Sequence, residues 1–319
     1  MITKITLENF RGFRTLELDG LQRVNLIVGA NNSGKTSLLE ALVLLCGKAR
    51  INGLHSLLRA AQGNAEHRYY RWLLRDGTKT GEGHVGCVAG GTDRVVLLTG
   101  GPQTVDVRRA KNKEFEPIHG GQRIFIWTPR NQPGMECRVV PIEHADPVKM
   151  VALVGRAQRR AGGEEVLQRL LAAVDTRIRK IRVDPGEDGN QVIVDIGLSE
   201  LIPISQAGQG VYRLVTILAD LIGEKPDLVL IDEIENGLHH SVHKQVWAGL
   251  AETAASLNAQ IFATTHSAEC LEAAHAAFSE RSEYDLRVIQ LFRLESGIQG
   301  RVLDRPLIEA AIEGNIDLR

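Results

Sequence analysis

The sequence predicts an α/β fold with a mixed core sheet, and three observations carry that expectation. Apolar runs such as "VNLIVG" from Val24 and "DLVLID" from Asp227 are nearly continuous and end at glycine or acid, as strands buried on both faces do. Segments with helical apolar spacing follow these runs. Between the first strand and its helix, Gly29-Ala30-Asn31-Asn32-Ser33-Gly34-Lys35-Thr36 matches G-x-x-x-x-G-K-[ST] in full, in the strand–loop–helix context that motif requires.

In chain order, "ITLENF" and "RTLELDGL" alternate apolar and polar residues around "RGF", which predicts an antiparallel pair. After "VNLIVG", the helix "GKTSLLEALVLLCGK" carries Leu38, Leu39, Leu42 and Leu45 along one stripe. Residues 51 to 143 give weaker signals: strand-like "RVVLLT" and "RIFIWT" among glycine-rich turns, read as antiparallel sheet after one helical excursion. From Asp146 to about Arg182 the spacing is helical, and "IRVDPGEDGNQVIVDI" reads as a hairpin. "SQAGQG" opens the apolar helix "VYRLVTILADLI". Strand "DLVLID", helix "HHSVHKQVWAGLAETAA", strand "AQIFATTH", helix "AECLEAAHAAF", a hairpin over "DLRVIQLFRLESGIQGRVLD" and a short helix complete the chain. This predicts one unit over 1–319: a nucleotide-binding first part (1–145), a helical lobe with hairpin (146–204), and a third part (205–319).

Bulk properties narrow the classes. With 43% hydrophobic and 24% charged residues, the chain can bury a sizeable core. A net charge of -1 gives no global attraction to nucleic acid or anionic membrane. Cys46, Cys87, Cys137 and Cys270 form no C-x-x-C pair, which argues against a cysteine zinc site or disulfide scaffold and fits reduced thiols in the cytoplasm. "MITKITLENF" lacks a signal-peptide pattern. The apolar run "LLEALVLLC" is interrupted by Glu40 and falls short of the ~20 residues a membrane span needs.

The lysine loop predicts a nucleoside triphosphatase. Its glycines let backbone N–H groups curl around phosphates at a helix N-terminus. Gly29, Asn31, Asn32, Ser33, Gly34 and Lys35, with Thr36 and Ser37 opening the helix, are the candidate nucleotide contacts. Lys35 should reach the β and γ phosphates, and Thr36 should hold Mg²⁺. In "LVLIDEIENGLHH", Asp232 follows four apolar strand residues and is the second candidate Mg²⁺ ligand. Glu233 is placed to act as general base on the attacking water. Neither N-K-x-D nor T-K-x-D occurs, since "NKEF" has Phe115 at the last position; ATP is therefore expected over GTP.

"ITLENFRGF … VNLIVGANNSGKTSLLEAL" resembles the N-terminus of the RecF, SMC and OLD group of ABC-type ATPases. "LIDEIENGLHHSVHKQVW" is similar to the acidic motif and D-loop of the OLD-like branch, and "IFATTHSAECL" to its strand and switch histidine. "LIEAAIEGNIDLR" resembles the segment that ends the ATPase part of OLD-family nucleases. The resemblance implies an ABC-type P-loop ATPase with an N-terminal antiparallel β part and a helical lobe. It implies that His266 bonds the γ-phosphate or orients the water, and that Arg11 in "NFRGF" approaches nucleotide. It also implies that "ISQAGQGVYRL" contacts ATP held by the other subunit, through Ser205, Gly208 and Gly210 with Arg213 in the helix. The alternative for that segment is an ordinary N-cap turn with Ser205 as cap. Asn236, Gly237, Leu238 and His239 align with the D-loop, His239 replacing its aspartate. Glu235 could assist Mg²⁺ or water, or cap the next turn. The Q-loop glutamine is not placed; Gln122 and Gln132 are both candidates.

Two further features bear on the task. His239, His240 and His243 invite a metal reading, with 239 and 243 on one helix face; no spaced Cys or His partner is visible, so a D-loop and surface reading is favoured. Nine basic residues from Lys149 to Arg182 face only Glu164, Glu165 and Asp175 within that segment. They could contact nucleic-acid phosphates, an acidic partner, or only solvent. Long heptad runs are absent, and no length remains after Arg319 for the nuclease domain of OLD proteins. The expected unit is a head-to-tail homodimer around two ATP molecules, open to further assembly. It would act as a sensor or switch with a separate nuclease or toxin effector in antiviral defence; the alternative is a RecF-like repair factor that binds DNA.

Overall fold

The computed structural model describes residues 1–46, 73–75, 81–100, 114–116, 124–126, 135–140, 147–186 and 189–318. The chain opens with β1 (Ile2–Phe10), β2 (Phe13–Asp19), β3 (Val24–Val28) and helix α1 (Lys35–Leu45). Strands β4 (Gly81–Ala89), β5 (Thr92–Gly100), β6 (Glu114–Glu116), β7 (Ile124–Ile126) and β8 (Cys137–Val140) follow. Then come α2 (Pro147–Gln158), α3 (Gly163–Val174), β9 (Lys180–Gly186), β10 (Gly189–Asp195), β11 (Ile202–Pro203) and α4 (Gln209–Glu224). The last third alternates β12 (Leu228–Ile231), α5 (His243–Leu257), β13 (Gln260–Thr264), α6 (Ala268–Ser279), the hairpin β14 (Leu286–Leu294) and β15 (Gly297–Leu303), and α7 (Arg305–Glu313).

The expected mixed core sheet is six-stranded, in the order β15-β14-β3-β13-β12-β8. Every pair is parallel except β14–β15. The continuous apolar runs are explained by the two faces of this sheet. Leu26, Ile231, Ile261, Ala263 and Val288 enter one core with α2 to α7. Ile27, Leu228, Leu230, Phe262 and Ile289 enter the other with α1 and the N-terminal strands. Alternation of side chains along a strand produces this split.

The antiparallel N-terminal part is a four-stranded sheet ordered β2-β1-β4-β5. Its β4–β5 hairpin turns at Gly90 and Gly91, both with positive φ (58° and 75°), as a two-residue loop matching strand twist demands. Helix α1 lies between the two sheets. It was expected to bury a leucine stripe; it also buries Glu40, Ala41, Val43 and Leu44, because a helix covered on both sides is apolar all round.

The helical lobe is α2 and α3, packed with α4 in the same core. The helical reading to Arg182 ran too far. Helix α3 stops at Val174, where Asp175 accepts the Arg177 amide on its side chain (3.0 Å), a turn that competes with helix. The hairpin β9–β10 forms as expected. The helical excursion expected near residue 51, and Gln122 and Gln132, lie outside the described residues. Among the described residues, no helix is long and apolar enough to cross a membrane.

Candidate functional site

The lysine loop, the acidic strand end and His266 meet at the C-terminal edge of β3, β12 and β13, where parallel sheets place ligands. Strand β13 lies between the other two, and Thr265 N–H donates to Ile27 O (3.0 Å), carrying the pairing up to the loop. Gly29 (φ 148°) and Gly34 (φ 96°) bound the loop. A Cβ on Gly29 would stand 2.3 Å from Leu291 O and 2.6 Å from Ser33 Oγ, so only glycine lets the loop leave the strand here. Gly34 occupies the N-cap position of α1. Lys35 is buried, and its Nζ donates to Gly29 O (2.6 Å) and Ala30 O (2.9 Å). Ser33 Oγ is buried and has no hydrogen-bond partner among the described residues.

The turn after β12 is tied to the segment after β13 by reciprocal bonds. Thr264 Oγ1 donates to Asp232 Oδ1 (2.7 Å) and accepts Glu233 N–H (2.8 Å). Ile234 N–H donates to Thr264 O (3.0 Å). His266 N–H donates to Glu235 Oε1 (2.6 Å), and the His266 ring lies 3.7 Å from Glu233 Oε1. Asp232 is buried, and Glu233 has φ 48°. Arg213, only 2% exposed, donates from α4 to Asp232 O (2.7 Å). Burial pulls its guanidinium down, and Asp232, Glu233 and Glu235 counter that fall.

Arg11 sits at the β1–β2 turn with φ 52° and forms a bidentate pair with Glu40 of α1, both bonds 2.7 Å. Its guanidinium is therefore held on the lysine-loop helix, five residues past Lys35. Burial pushes the Glu40 carboxyl up, and Arg11 opposes that rise. From the opposite side, Arg293 on β14 donates to Asn32 O (3.1 Å).

Ser205 is not the N-cap of the following helix, which sets aside the alternative reading of this segment as a serine-capped turn. It lies in a 3₁₀ turn, Ile204–Gln206, while Gly208 (φ 100°, ψ 151°) is the N-cap of α4 and provides no side-chain bond. The physical reason is the glycine: it adopts a backbone conformation closed to Ser, and so takes the helix start. Gly210 serves close approach, since a Cβ there would stand 2.7 Å from Gly237 O. The segment Ser205–Gly210 and the D-loop segment Asn236–His239 are thus packed on each other. Helix α4 lies in the core on the opposite sheet face from α1.

The histidines are also rearranged. His239 caps a 3₁₀ turn at His240–Val242 and α5 begins only at His243, so 239 and 243 share no helix face. His243 is buried, correcting the surface reading, and burial lowers its pKa. No group of three or more His, Cys, Asp or Glu side chains could hold a metal among the described residues. In the basic segment, carboxylates distant in sequence appear: Arg156 pairs with Glu224, and Arg169 with Glu252 (2.6 Å). Arg177 pairs with Asp175 (2.8 Å), Arg182 with Asp184 (3.4 Å), and Arg160 donates to Gly223 O (3.1 Å).

Sequence reasoning missed Thr264, Arg293 and the partner of Arg11. Glu40 carried a signal: a lone acid inside an apolar helix needs a cation. Thr264 and Arg293 carried none, since their partners are set by strand order.

Residues 1–116 match a family model described as "AAA ATPase domain". Residues 142–272 match one described as "AAA domain, putative AbiEii toxin, Type IV TA system". An "ATP/GTP phosphatase" of Helicobacter pylori is 24% identical over 85% of this chain and 87% of its own length. The DNA replication and repair protein RecF of Heliobacterium modesticaldum is 40% identical over 82 residues, which are 25% of this chain and 21% of that protein. Among solved structures, an SMC head bound to the C-terminal winged-helix domain of ScpA covers 98% of this chain and 99% of its own, with TM-score 0.60 and 13% identity. The SMC head domain of Thermotoga maritima covers 95% and 99%, with TM-score 0.51 and 15% identity. With its lysine loop and acidic strand end on that shared sheet, this chain has the fold of an ABC-type ATPase head and matches AAA ATPase family models over parts of its length.

Proposed function

We propose that this head hydrolyses ATP with Mg²⁺ in a head-to-tail homodimer, each active site completed by the partner's Ser205–Gly210 segment. The reading is supported by the close approach of Gly210 to Gly237 O, 2.7 Å from where a Cβ would stand, which sets Ser205–Gly210 against Asn236–His239 on the sheet face away from α1. A segment so placed is suited to another subunit's nucleotide.

The site suits a Mg–nucleotide. The Thr36 hydroxyl and Asp232 carboxylate are hard oxygen donors of the kind Mg²⁺ takes, and the buried, unpartnered Ser33 Oγ faces the cradle that glycine keeps open. Mg²⁺, when bound, neutralises charge on the phosphates. Lys35 would exchange its loop carbonyls for phosphate oxygens, and the loop amides would bind the rest. Glu233 would take the proton of the attacking water, with His266 at 3.7 Å orienting water or γ-phosphate.

The wider role we infer is a cytoplasmic sensor or switch subunit acting with a separate effector in prokaryotic defence. The toxin–antitoxin description of the second family model supports that setting. The RecF-like reading, direct DNA binding in repair, rests on likeness over a quarter of the chain. It is weakened by the carboxylate partners of Arg156, Arg169, Arg177 and Arg182.

The test is Glu233→Gln with ATP and Mg²⁺, followed by light scattering on the eluting species. A stable dimer with bound ATP and lost turnover is expected. A monomer at all concentrations, with wild-type activity per molecule independent of protein concentration, would overturn the dimer reading.

A further inference from the structure

We propose that Glu235 is a positioning residue for hydrolysis: its carboxylate clamps the backbone amide of His266 and fixes the switch histidine beside Glu233. The inference rests on the hydrolytic reading of Glu233 and His266 given above. Glu235 and His266 are 31 residues apart in sequence, yet the amide-to-Oε1 distance is 2.6 Å. A carboxylate accepting a backbone N–H makes one of the stronger hydrogen bonds available to a protein. The amide it holds belongs to the residue whose ring lies 3.7 Å from Glu233 Oε1.

The neighbouring bonds leave this as the missing constraint. Thr264 is fixed by Asp232 and Glu233, and Thr265 N–H by Ile27 O. Ser267 N–H is held by Thr265 Oγ1 (3.0 Å), and Ser267 Oγ accepts Cys270 N–H (3.0 Å) to start α6. His266 is the link between these anchored stretches, and its amide is held by Glu235. The second carboxylate oxygen, Oε2, is buried without a hydrogen-bond partner among the described residues. Burying an unsatisfied carboxylate oxygen is costly, so a residue chosen for stability alone would not be an acid here.

Two substitutions test it. Glu235→Ala removes the acceptor; Glu235→Gln keeps a carbonyl oxygen for the amide but loses the charge. Glu235→Ala is expected to lower kcat at least tenfold with KM for ATP within twofold, since misplacing a catalytic group by about 1 Å can cost 10²-fold. Glu235→Gln is expected to recover most of that loss at unchanged Mg²⁺ requirement. Amide hydrogen exchange over residues 264–270, measured without nucleotide, should speed up in Glu235→Ala and not in Glu235→Gln. This second readout decides the clamp even if the chain proves not to hydrolyse ATP, whereas inactivity of the wild type would defeat only the hydrolytic reading. Wild-type exchange and kcat in Glu235→Ala would overturn the proposal. So would a Glu235→Gln variant as impaired as Glu235→Ala with a raised Mg²⁺ requirement, which would assign Glu235 to metal or proton chemistry.

Discussion

Thr264→Val is the most economical test of how the Asp232–Glu233 turn is held. Valine copies threonine in shape and replaces only the hydroxyl, which donates to Asp232 Oδ1 (2.7 Å) and accepts Glu233 N–H (2.8 Å). The site is 1% exposed, so water cannot take over either bond. Losing a hydrogen bond to a charged acceptor costs about 1.5–3 kcal/mol, and an orphaned buried amide about 1–3 kcal/mol. The extra buried methyl returns roughly 0.8 kcal/mol. The expected net loss is about 2–5 kcal/mol, read as a lower urea midpoint at constant m. Thr264→Ser keeps the hydroxyl and loses one buried methyl, so it should cost only about 1 kcal/mol. Turnover should follow the same order, with valine at least tenfold below serine. A valine variant as stable as serine and equally active would refute the claim that this hydroxyl holds the turn.

Lys35→Ala should abolish nucleotide binding, measured by quenching of a fluorescent ATP analogue, because the ammonium is the loop's one long reach to the phosphates. Gly210→Ala puts a Cβ 2.7 Å from Gly237 O; the D-loop must shift at a cost of about 1–3 kcal/mol. Turnover should fall while ATP binding to the monomer is kept, and unchanged turnover would count against signature–D-loop packing. Arg11→Met removes the guanidinium that opposes the burial-driven rise of the Glu40 carboxyl. An acid whose pKa is raised on folding contributes stability below its unfolded value and loses it as pH rises through the folded value. The stability deficit of Arg11→Met should therefore be larger at pH 8 than at pH 5; a deficit growing toward low pH would reverse the assignment.

Much of this head is legible in its residues, and the unread parts share a cause. The strands around Val24, Leu228 and Gln260 announce themselves because both faces of the core sheet are covered, leaving no polar alternation to confuse them with surface strands. The lysine loop is legible because glycine, lysine and threonine act within eight contiguous positions. What could not be read is whatever joins distant segments. Ser205 offers a cap as its alternative reading, since serine commonly is one; Gly208 takes that position through a φ and ψ that sequence does not display. The basic run looked unopposed within its own segment, but Glu224 and Glu252 arrive from α4 and α5. His239 and His243 looked like one helix face because a 3₁₀ turn and an α-helix carry the same residue types.

The conformation of Glu233 ties these observations together. A non-glycine residue at φ 48° is uncommon and costs about 1–3 kcal/mol where the surroundings impose it. Here three groups do so: Thr264 Oγ1 takes the Glu233 amide, Thr264 O takes the Ile234 amide, and Arg213 holds the Asp232 carbonyl. A glycine would relieve the strain at once, but it would remove the carboxylate that we assign to the attacking water. An aspartate tolerates the left-handed region better, yet its side chain is one methylene shorter and would draw the carboxylate back from the His266 ring. Within this turn the strain thus falls on the residue whose chemistry forbids the cheaper choice. Arg213, which holds the strained turn, stands on the helix that Gly208 and Gly210 begin. Any force applied to that helix start, such as contact with a second subunit's nucleotide, would reach the Asp232 carbonyl through a single buried side chain.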